Sequence, residues 1–202
     1  GPLRLFIAAG ASIPRQLVRD ARKNLDCAIS AGWGMTENAL VTVTKMNDPE
    51  EKICETDGYP LPGMEISVVD EQWKVLPNGT EGELLCRGPF TFAGYCKRPQ
   101  FNEESFLENG WFKTGDRAVI DKDGYLSITG RNKDIIIRGG ENIPVVEIEN
   151  ILFQHPRIKN VSIVAMPDER FQEKACAFII PREGENLTFE DLIAFLETQG
   201  IA

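Results

Sequence analysis

Histidine is almost missing from this 202-residue chain: His155 is the only one. A Ser-His-Asp triad or a His-based zinc site would have to be built around that single residue. It stands in Gln154-His155-Pro156-Arg157, which reads as a helix exit, so a structural role is expected. The five cysteines, Cys27, Cys54, Cys86, Cys96 and Cys176, form no CxxC pair. Their spread through an acidic chain points to reduced thiols in buried packing roles, not to a disulfide frame. Long apolar runs are lacking too. Residues 135–137 and 161–166 fall far short of the roughly 20 residues a membrane helix needs, and no signal-peptide pattern opens the chain, so a cytoplasmic location and no integral membrane segment are expected. Cationic excess is absent as well: 22 Lys and Arg against 31 Asp and Glu leave a net charge of -9. That argues against broad electrostatic binding to nucleic acid or anionic membrane, and leaves room only for a local cationic pocket.

What remains is ordinary for a globular protein, with 42% hydrophobic and 26% charged residues, enough for one good core or two modest ones. No internal repeat or low-complexity tract interrupts it. Residues 3–9 read as a buried strand, and Pro14 opens a helical pattern with Leu17, Val18, Ala21 and Leu25 on one face. A second strand follows at 27–31. Strand, helix, strand in about 30 residues is a βαβ unit, whose ligands sit at the carboxyl ends of the strands. Those ends carry Ala9-Gly10-Ala11-Ser12 and Gly32-Trp33-Gly34.

From Gly58 the character changes. Short strands at 64–69, 83–87, 117–121 and 125–129 are separated by Pro77-Asn78-Gly79, Glu108-Asn109-Gly110 and Asp123-Gly124 turns, an antiparallel, barrel-like pattern. The charge run Asp48-Pro49-Glu50-Glu51-Lys52 reads as a solvated loop. After Arg131 come a strand, a helix near Pro144 carrying Val145, Ile148, Ile151 and Leu152, strands at 161–166 and 175–180, and a helix after Thr188, whose Thr188-Phe189-Glu190-Asp191 start resembles a cap. The expected fold class is therefore α/β plus β. It comprises a parallel α/β subdomain (1–60), a distorted antiparallel β-barrel (61–131) and a small, truncated α+β domain (132–202).

Three stretches carry candidate chemistry. Gly32-Trp33-Gly34-Met35-Thr36-Glu37 sets a flat aromatic, close-approach backbone, a hydroxyl and a carboxylate together, the parts that stack a base, bond a phosphate and hold Mg²⁺ beside it. Taken alone, Trp33 could equally fill the core and Thr36-Glu37 start a helix. Asp116, in Trp111-Phe112-Lys113-Thr114-Gly115-Asp116, is an acidic turn residue that could bond hydroxyls or simply be solvated. Between residues 128 and 143, the turn-forming Gly130-Arg131-Asn132-Lys133-Asp134 separates two apolar runs. Gly139-Gly140 then closes the second, which is the layout of a hinge between two lobes.

These motifs, in this order, closely resemble the adenylate-forming superfamily of acyl-CoA synthetases, luciferases and peptide-synthetase adenylation domains. The resemblance implies ATP/AMP, Mg²⁺ and coenzyme A as cofactors and a small carboxylic acid as substrate, with the look of short- and medium-chain or alicyclic acyl-CoA ligases. It implies that Trp33, standing where the family usually has Tyr, stacks on adenine, with Gly32, Gly34 and Met35 beside it, and that Thr36 meets the α-phosphate and Glu37 the magnesium. Gly10, Ala11 and Ser12, in a loop leading to Pro14, would border adenine and the acyl pocket. Asp116 would accept the ribose hydroxyls, with Ile128 and Arg131 beside the nucleotide. Lys133 would be the pivot of a domain rotation, and Gly139, Gly140 and Glu141 would line a pantetheine tunnel. The family's phosphate loop with its lysine, and the catalytic lysine of its small domain, do not occur in these residues. An internal fragment without activity of its own is therefore expected. A carrier-loading adenylation domain, or a nucleotide-binding module without turnover, remain alternatives, and oligomeric state stays open.

Overall fold

The computed structural model describes residues 3–11, 13–25 and 27–201. The chain divides into two compact units, one ending at Asn132 and one beginning at Lys133.

The first unit opens with β1 (Leu5–Ala8), which pairs in parallel with β2 (Ala28–Met35) across α1 (Arg15–Asn24). β3 (Ala39–Val43) and β4 (Tyr59–Pro60) then continue the sheet antiparallel. Sequence reading places β1 in the interior, but Leu5, Phe6 and Ile7 are exposed, Phe6 at 50%. Among the described residues β1 has β2 as its sheet neighbour. On α1 the expected apolar face divides. Val18 and Ala21 pack with Ile13, Ile29, Ile53 and Cys54, while Leu17 and Leu25, expected on that face, are exposed.

β2 runs four residues past the strand end expected from sequence, because β3 pairs with its second half. The pairing is close enough to explain both glycines. A Cβ at Gly32 would lie 2.7 Å from the Thr42 carbonyl oxygen, and one at Gly34 only 1.9 Å from that of Ala39. The charged 48–52 segment is likewise more ordered than a solvated loop. Pro49 opens the short helix α2 (Glu50–Glu55), and Lys52 Nζ sits 2.5 Å from Asp121 and 2.8 Å from Asp123, over the ring of Tyr125. The two carboxylates raise the lysine's affinity for its proton.

β5 (Glu65–Val69), β6 (Gly82–Arg87), β7 (Phe112–Ile120) and β8 (Leu126–Arg131) form an antiparallel meander with α3 (Pro99–Ser105) inserted before β7. It is an open sheet in which β5 and β8 are edges; the expected barrel is not closed among the described residues. Four strands are too few to complete the turn a barrel requires. Val68, Leu84, Cys86, Phe112, Ala118 and Leu126 face the core of this unit, together with Trp33 and Val41 from the first sheet.

The second unit is an antiparallel sheet in the order β10 (Glu141–Ile143), β9 (Ile136–Arg138), β12 (Gln172–Pro181), β11 (Ile158–Asp168), with α4 (Val145–Leu152) and α5 (Phe189–Thr198). Ile136, Leu152, Ile158, Val161 and Ile163 form its core. The Thr188 cap is a full capping box: Asp191 N donates to Thr188 Oγ1 and Thr188 N to Asp191 Oδ2, satisfying two amides at the helix start. His155 is buried, accepts the Arg157 amide at Nδ1 and lies edge-on to Phe195. Burial and the Arg157 charge lower its proton affinity. No described helix is long and apolar enough to cross a membrane.

All five cysteines are free, Cys54 and Cys86 buried, Cys27 and Cys176 half-buried. Cys96 departs from the expected packing role, since it is exposed. Burial pushes the Cys86 thiol up to about 11, and thiolate is the reactive form. In native protein at pH 8, iodoacetamide followed by mass spectrometry is expected to modify Cys96 first and Cys86 last. Modification of Cys86 at the rate of Cys96 would contradict this packing.

Candidate functional site

The β2–β3 hairpin turns through Thr36, Glu37 and Asn38, so Thr36-Glu37 is a strand-to-strand turn and not a helix start. Asn38, which sequence reading passes over, makes the turn rigid. It is fully buried, its Oδ1 accepts the Met35 amide at 3.0 Å, and its Nδ2 reaches Cys86 Sγ at 3.1 Å. Thr36 is thereby left exposed and Glu37 half-buried at the tip. The Glu37 carbonyl accepts the Phe92 amide at 2.7 Å, and its Oε1 accepts the Tyr95 hydroxyl at 2.9 Å. Burial, and then the bond to Glu37, raise the Tyr95 phenol above its ordinary value, so at neutral pH the phenol is the donor.

Trp33 is 8% exposed and fills the core of the unit, so it presents no open stacking face here. Its indole Nε1 donates to Asp116 Oδ2 at 2.8 Å. Asp116 is aimed inward by a bulge in β7: Lys113 and Arg117 pair with Leu85 and Glu83, leaving three residues of β7 opposite one of β6, with Gly115 at φ 73 among them. Thr114 Oγ1 braces the bulge, accepting the Asp116 amide and donating to the Leu84 carbonyl. On the neighbouring strand Arg131 stands directly opposite Asp116, and its Nε donates to Oδ1 at 2.9 Å. Asp116 is thus 4% exposed while the Arg131 side chain is 53% exposed. Residues 33, 116 and 131, far apart in sequence, form one hydrogen-bonded chain from core to surface. A carboxylate offers about four acceptor positions, so Asp116 keeps capacity for further donors.

Other expected site residues are placed differently. Gly10, at φ 91, and Ala11 lie on the exposed loop leaving the carboxyl end of β1, which pairs Ala8 with Ala31 just before Gly32. Ser12 lies outside the described residues. The Ile128 amide is already committed, donating to Asp57 Oδ2 at 2.8 Å. Asp57 also receives both terminal nitrogens of Arg15, at 2.9 and 2.8 Å. This buried junction gave no signal in the sequence.

In the second unit, Lys133 is exposed within a single 3₁₀ turn, Asn132–Asp134, at the boundary between the units. Gly139 and Gly140 form the two-residue turn of the β9–β10 hairpin, with φ of 60° and 93°. Positive φ at both positions is what a tight type I′ hairpin requires. That turn alone accounts for both glycines, and Glu141 pairs with Arg138 across it.

Among the described residues no group of three or more His, Cys, Asp or Glu could by itself hold a metal ion. The donor set nevertheless suits magnesium. Glu37 is half-buried with Oε1 bonded to Tyr95, and its neighbour in the turn, Thr36, is exposed; Mg²⁺ is commonly held by one or two carboxylates, substrate phosphates and water.

Residues 1–96 match the AMP-binding enzyme family, and residues 147–200 match the AMP-binding enzyme C-terminal domain. The medium-chain fatty-acid–CoA ligase of Escherichia coli (strain K12) is 41% identical over 201 residues, covering 99% of this chain and 35% of that protein. The 2,3-dihydroxybenzoate-AMP ligase of Bacillus subtilis (strain 168) is 39% identical over 99% of this chain and 37% of its own length. Among solved structures, ATP-bound MatB from Rhodopseudomonas palustris superimposes with a TM-score of 0.90 at 30% identity, over 96% of this chain and 39% of that one. The chain spans about a third of the length of the curated relatives it matches. With both parts of one family matched in order along it, the chain belongs to the AMP-binding, adenylate-forming enzyme superfamily.

Proposed function

We propose that the chain is part of an ATP-dependent acid–thiol ligase. A carboxylate attacks the α-phosphorus of ATP to give acyl-AMP and pyrophosphate, and the thiol of coenzyme A then displaces AMP to give a thioester. The observation that carries this reading is the convergence of Trp33, Asp116 and Arg131 in one bonded network, beside the turn that offers Thr36 and Glu37. Asp116 is the acceptor for the ribose hydroxyls, and Arg131 supplies donors on the ribose and phosphate side. Thr36 donates to the α-phosphate, and Glu37 would hold magnesium, whose charge would offset that of the phosphates. The backbone of Gly32, Gly34 and Met35 borders adenine. Trp33 acts through its bond to Asp116, and Gly10 and Ala11 contribute at the acyl side.

Lys133 is the pivot about which the second unit turns between the half-reactions, and Gly139, Gly140 and Glu141 meet the thiol's pantetheine arm. Two features support the pivot: the unit boundary falls beside Lys133, and this residue is exposed on a one-turn segment. The protein acts in the cytoplasm, on a small carboxylic acid.

Asp116→Ala or Arg131→Ala in the full-length protein is expected to weaken ATP use by about 1–3 kcal/mol, the cost of leaving a bonded polar group without its partner. ATP–pyrophosphate exchange measures it; unchanged kinetics in both variants would contradict the assignment.

A second reading, transfer to a carrier protein in place of coenzyme A, is favoured by the 39% identity to an aryl-AMP ligase. Thioester formation on a phosphopantetheinyl carrier but not on coenzyme A would establish it.

A further inference from the structure

Glu37 is gripped by one short loop at two points. The Phe92 amide donates to its carbonyl at 2.7 Å, and the Tyr95 hydroxyl donates to its Oε1 at 2.9 Å. That loop is itself fixed from outside. Asn102 of α3 accepts the Tyr95 amide at 2.7 Å through Oδ1 and donates to the Tyr95 carbonyl at 3.2 Å through Nδ2. The Tyr95 ring stands edge-on to Phe92 with centroids 4.8 Å apart, and Phe92 in turn packs on Phe106 and Phe112. Gly94, at φ 133, lets the backbone pass the Asn102 amide, which a Cβ there would approach at 3.0 Å. The tyrosine is held by its amide, its carbonyl and its ring, and its hydroxyl makes one protein contact among the described residues, to Glu37.

We propose that Tyr95 is a positioning residue for the Glu37 carboxylate, fixing Oε1 so that Oε2 points at a divalent cation carried by the nucleotide. This rests on the reading of Glu37 as the magnesium-facing carboxylate, and goes beyond it by naming the group that sets its rotamer. A lone glutamate at a hairpin tip has free side-chain torsions to lose on binding a cation. A hydrogen bond to one oxygen removes most of that freedom beforehand. Partners of this kind around metal-ligating carboxylates typically change metal affinity by about 10–100-fold when removed. A purely structural tie would change stability and leave metal affinity alone.

The test uses the full-length protein with Mn²⁺ as the probe cation and α,β-methylene-ATP as a non-reacting nucleotide. Free Mn²⁺ is read by electron paramagnetic resonance, and metal-free nucleotide affinity by calorimetry. Tyr95→Phe, which keeps the ring, is expected to weaken Mn²⁺ binding in the nucleotide complex by about tenfold with metal-free nucleotide affinity unchanged. Glu37→Gln should weaken Mn²⁺ binding further. If Glu37→Gln weakens it and Tyr95→Phe does not, the role of Tyr95 is overturned while that of Glu37 stands. If neither does, the assignment of Glu37 falls and that of Tyr95 with it. If Tyr95→Phe weakens metal-free nucleotide binding equally, the residue is a general prop and the proposal is wrong. Should Tyr95→Phe melt early, Asn102→Ala, which frees the loop but keeps the hydroxyl, must show the same selective loss of Mn²⁺ affinity; a loss of stability alone overturns the proposal.

Discussion

Asp57→Ala is expected to destabilise the first unit by about 3–5 kcal/mol, the usual cost of removing one partner of a buried ion pair. Asp57 holds Arg15 through two bonds and the Ile128 amide through a third, and its own backbone amide donates to the Leu126 carbonyl. It therefore ties α1 to β8 across the two sheets. Alanine would leave the Ile128 amide without its acceptor and remove two charge-assisted bonds from the Arg15 guanidinium in a largely buried site. Domains of this size are stable by only about 5–15 kcal/mol, so much of the margin would go. Trp33, Trp73 and Trp111 all precede Asn132, so tryptophan fluorescence during urea unfolding reports this unit and not the other. A midpoint shift worth less than about 1 kcal/mol would show that the junction contributes little.

Lys133→Pro in the full-length protein is expected to separate the half-reactions. Proline fixes φ and restricts the residue before it. That residue, Asn132, is already held to the first unit, its Nδ2 donating to Glu83 Oε2 at 2.8 Å. A stiffened 132–133 step should leave an adenylating arrangement assembled and hinder the change to a thiol-transfer one. Pyrophosphate exchange should survive, and thioester formation from preformed acyl-AMP should fall at least about tenfold, equivalent to 1.4 kcal/mol of barrier. A thermal melt checks folding first. Equal loss of both half-reactions in a well-folded variant would remove Lys133 as the pivot.

The reading from sequence succeeded where the signal is local. The strands around 64–69 and 83–87, the α4 stripe and the Thr188 cap all follow from spacing and turn chemistry within a few residues. It failed where the deciding neighbour is distant. The charged 48–52 segment is ordered by Asp121 and Asp123, some 70 positions on. Strand count and alternation do not report closure, and among the described residues the meander is an open sheet.

The candidate site shows the same division. Trp33, Glu37, Asp116 and Arg131 were visible as residues, but nothing local says that the Trp33 indole is spent on Asp116, 83 positions away, or that Tyr95 reaches back to Glu37. Asn38 and Asp57 were missed because partners such as Cys86 for the first and Arg15 and Ile128 for the second lie 40 or more positions away, which leaves no motif.

The measurement that bears most directly on the proposed chemistry is ATP–pyrophosphate exchange by the full-length protein across a panel of straight-chain, alicyclic and aromatic carboxylic acids. Exchange that depends on the acid, requires a divalent cation and is lost in Asp116→Ala is the predicted result. Tight ATP binding with no acid-dependent exchange for any member of the panel would contradict it, and would leave a nucleotide-binding module without turnover in its place.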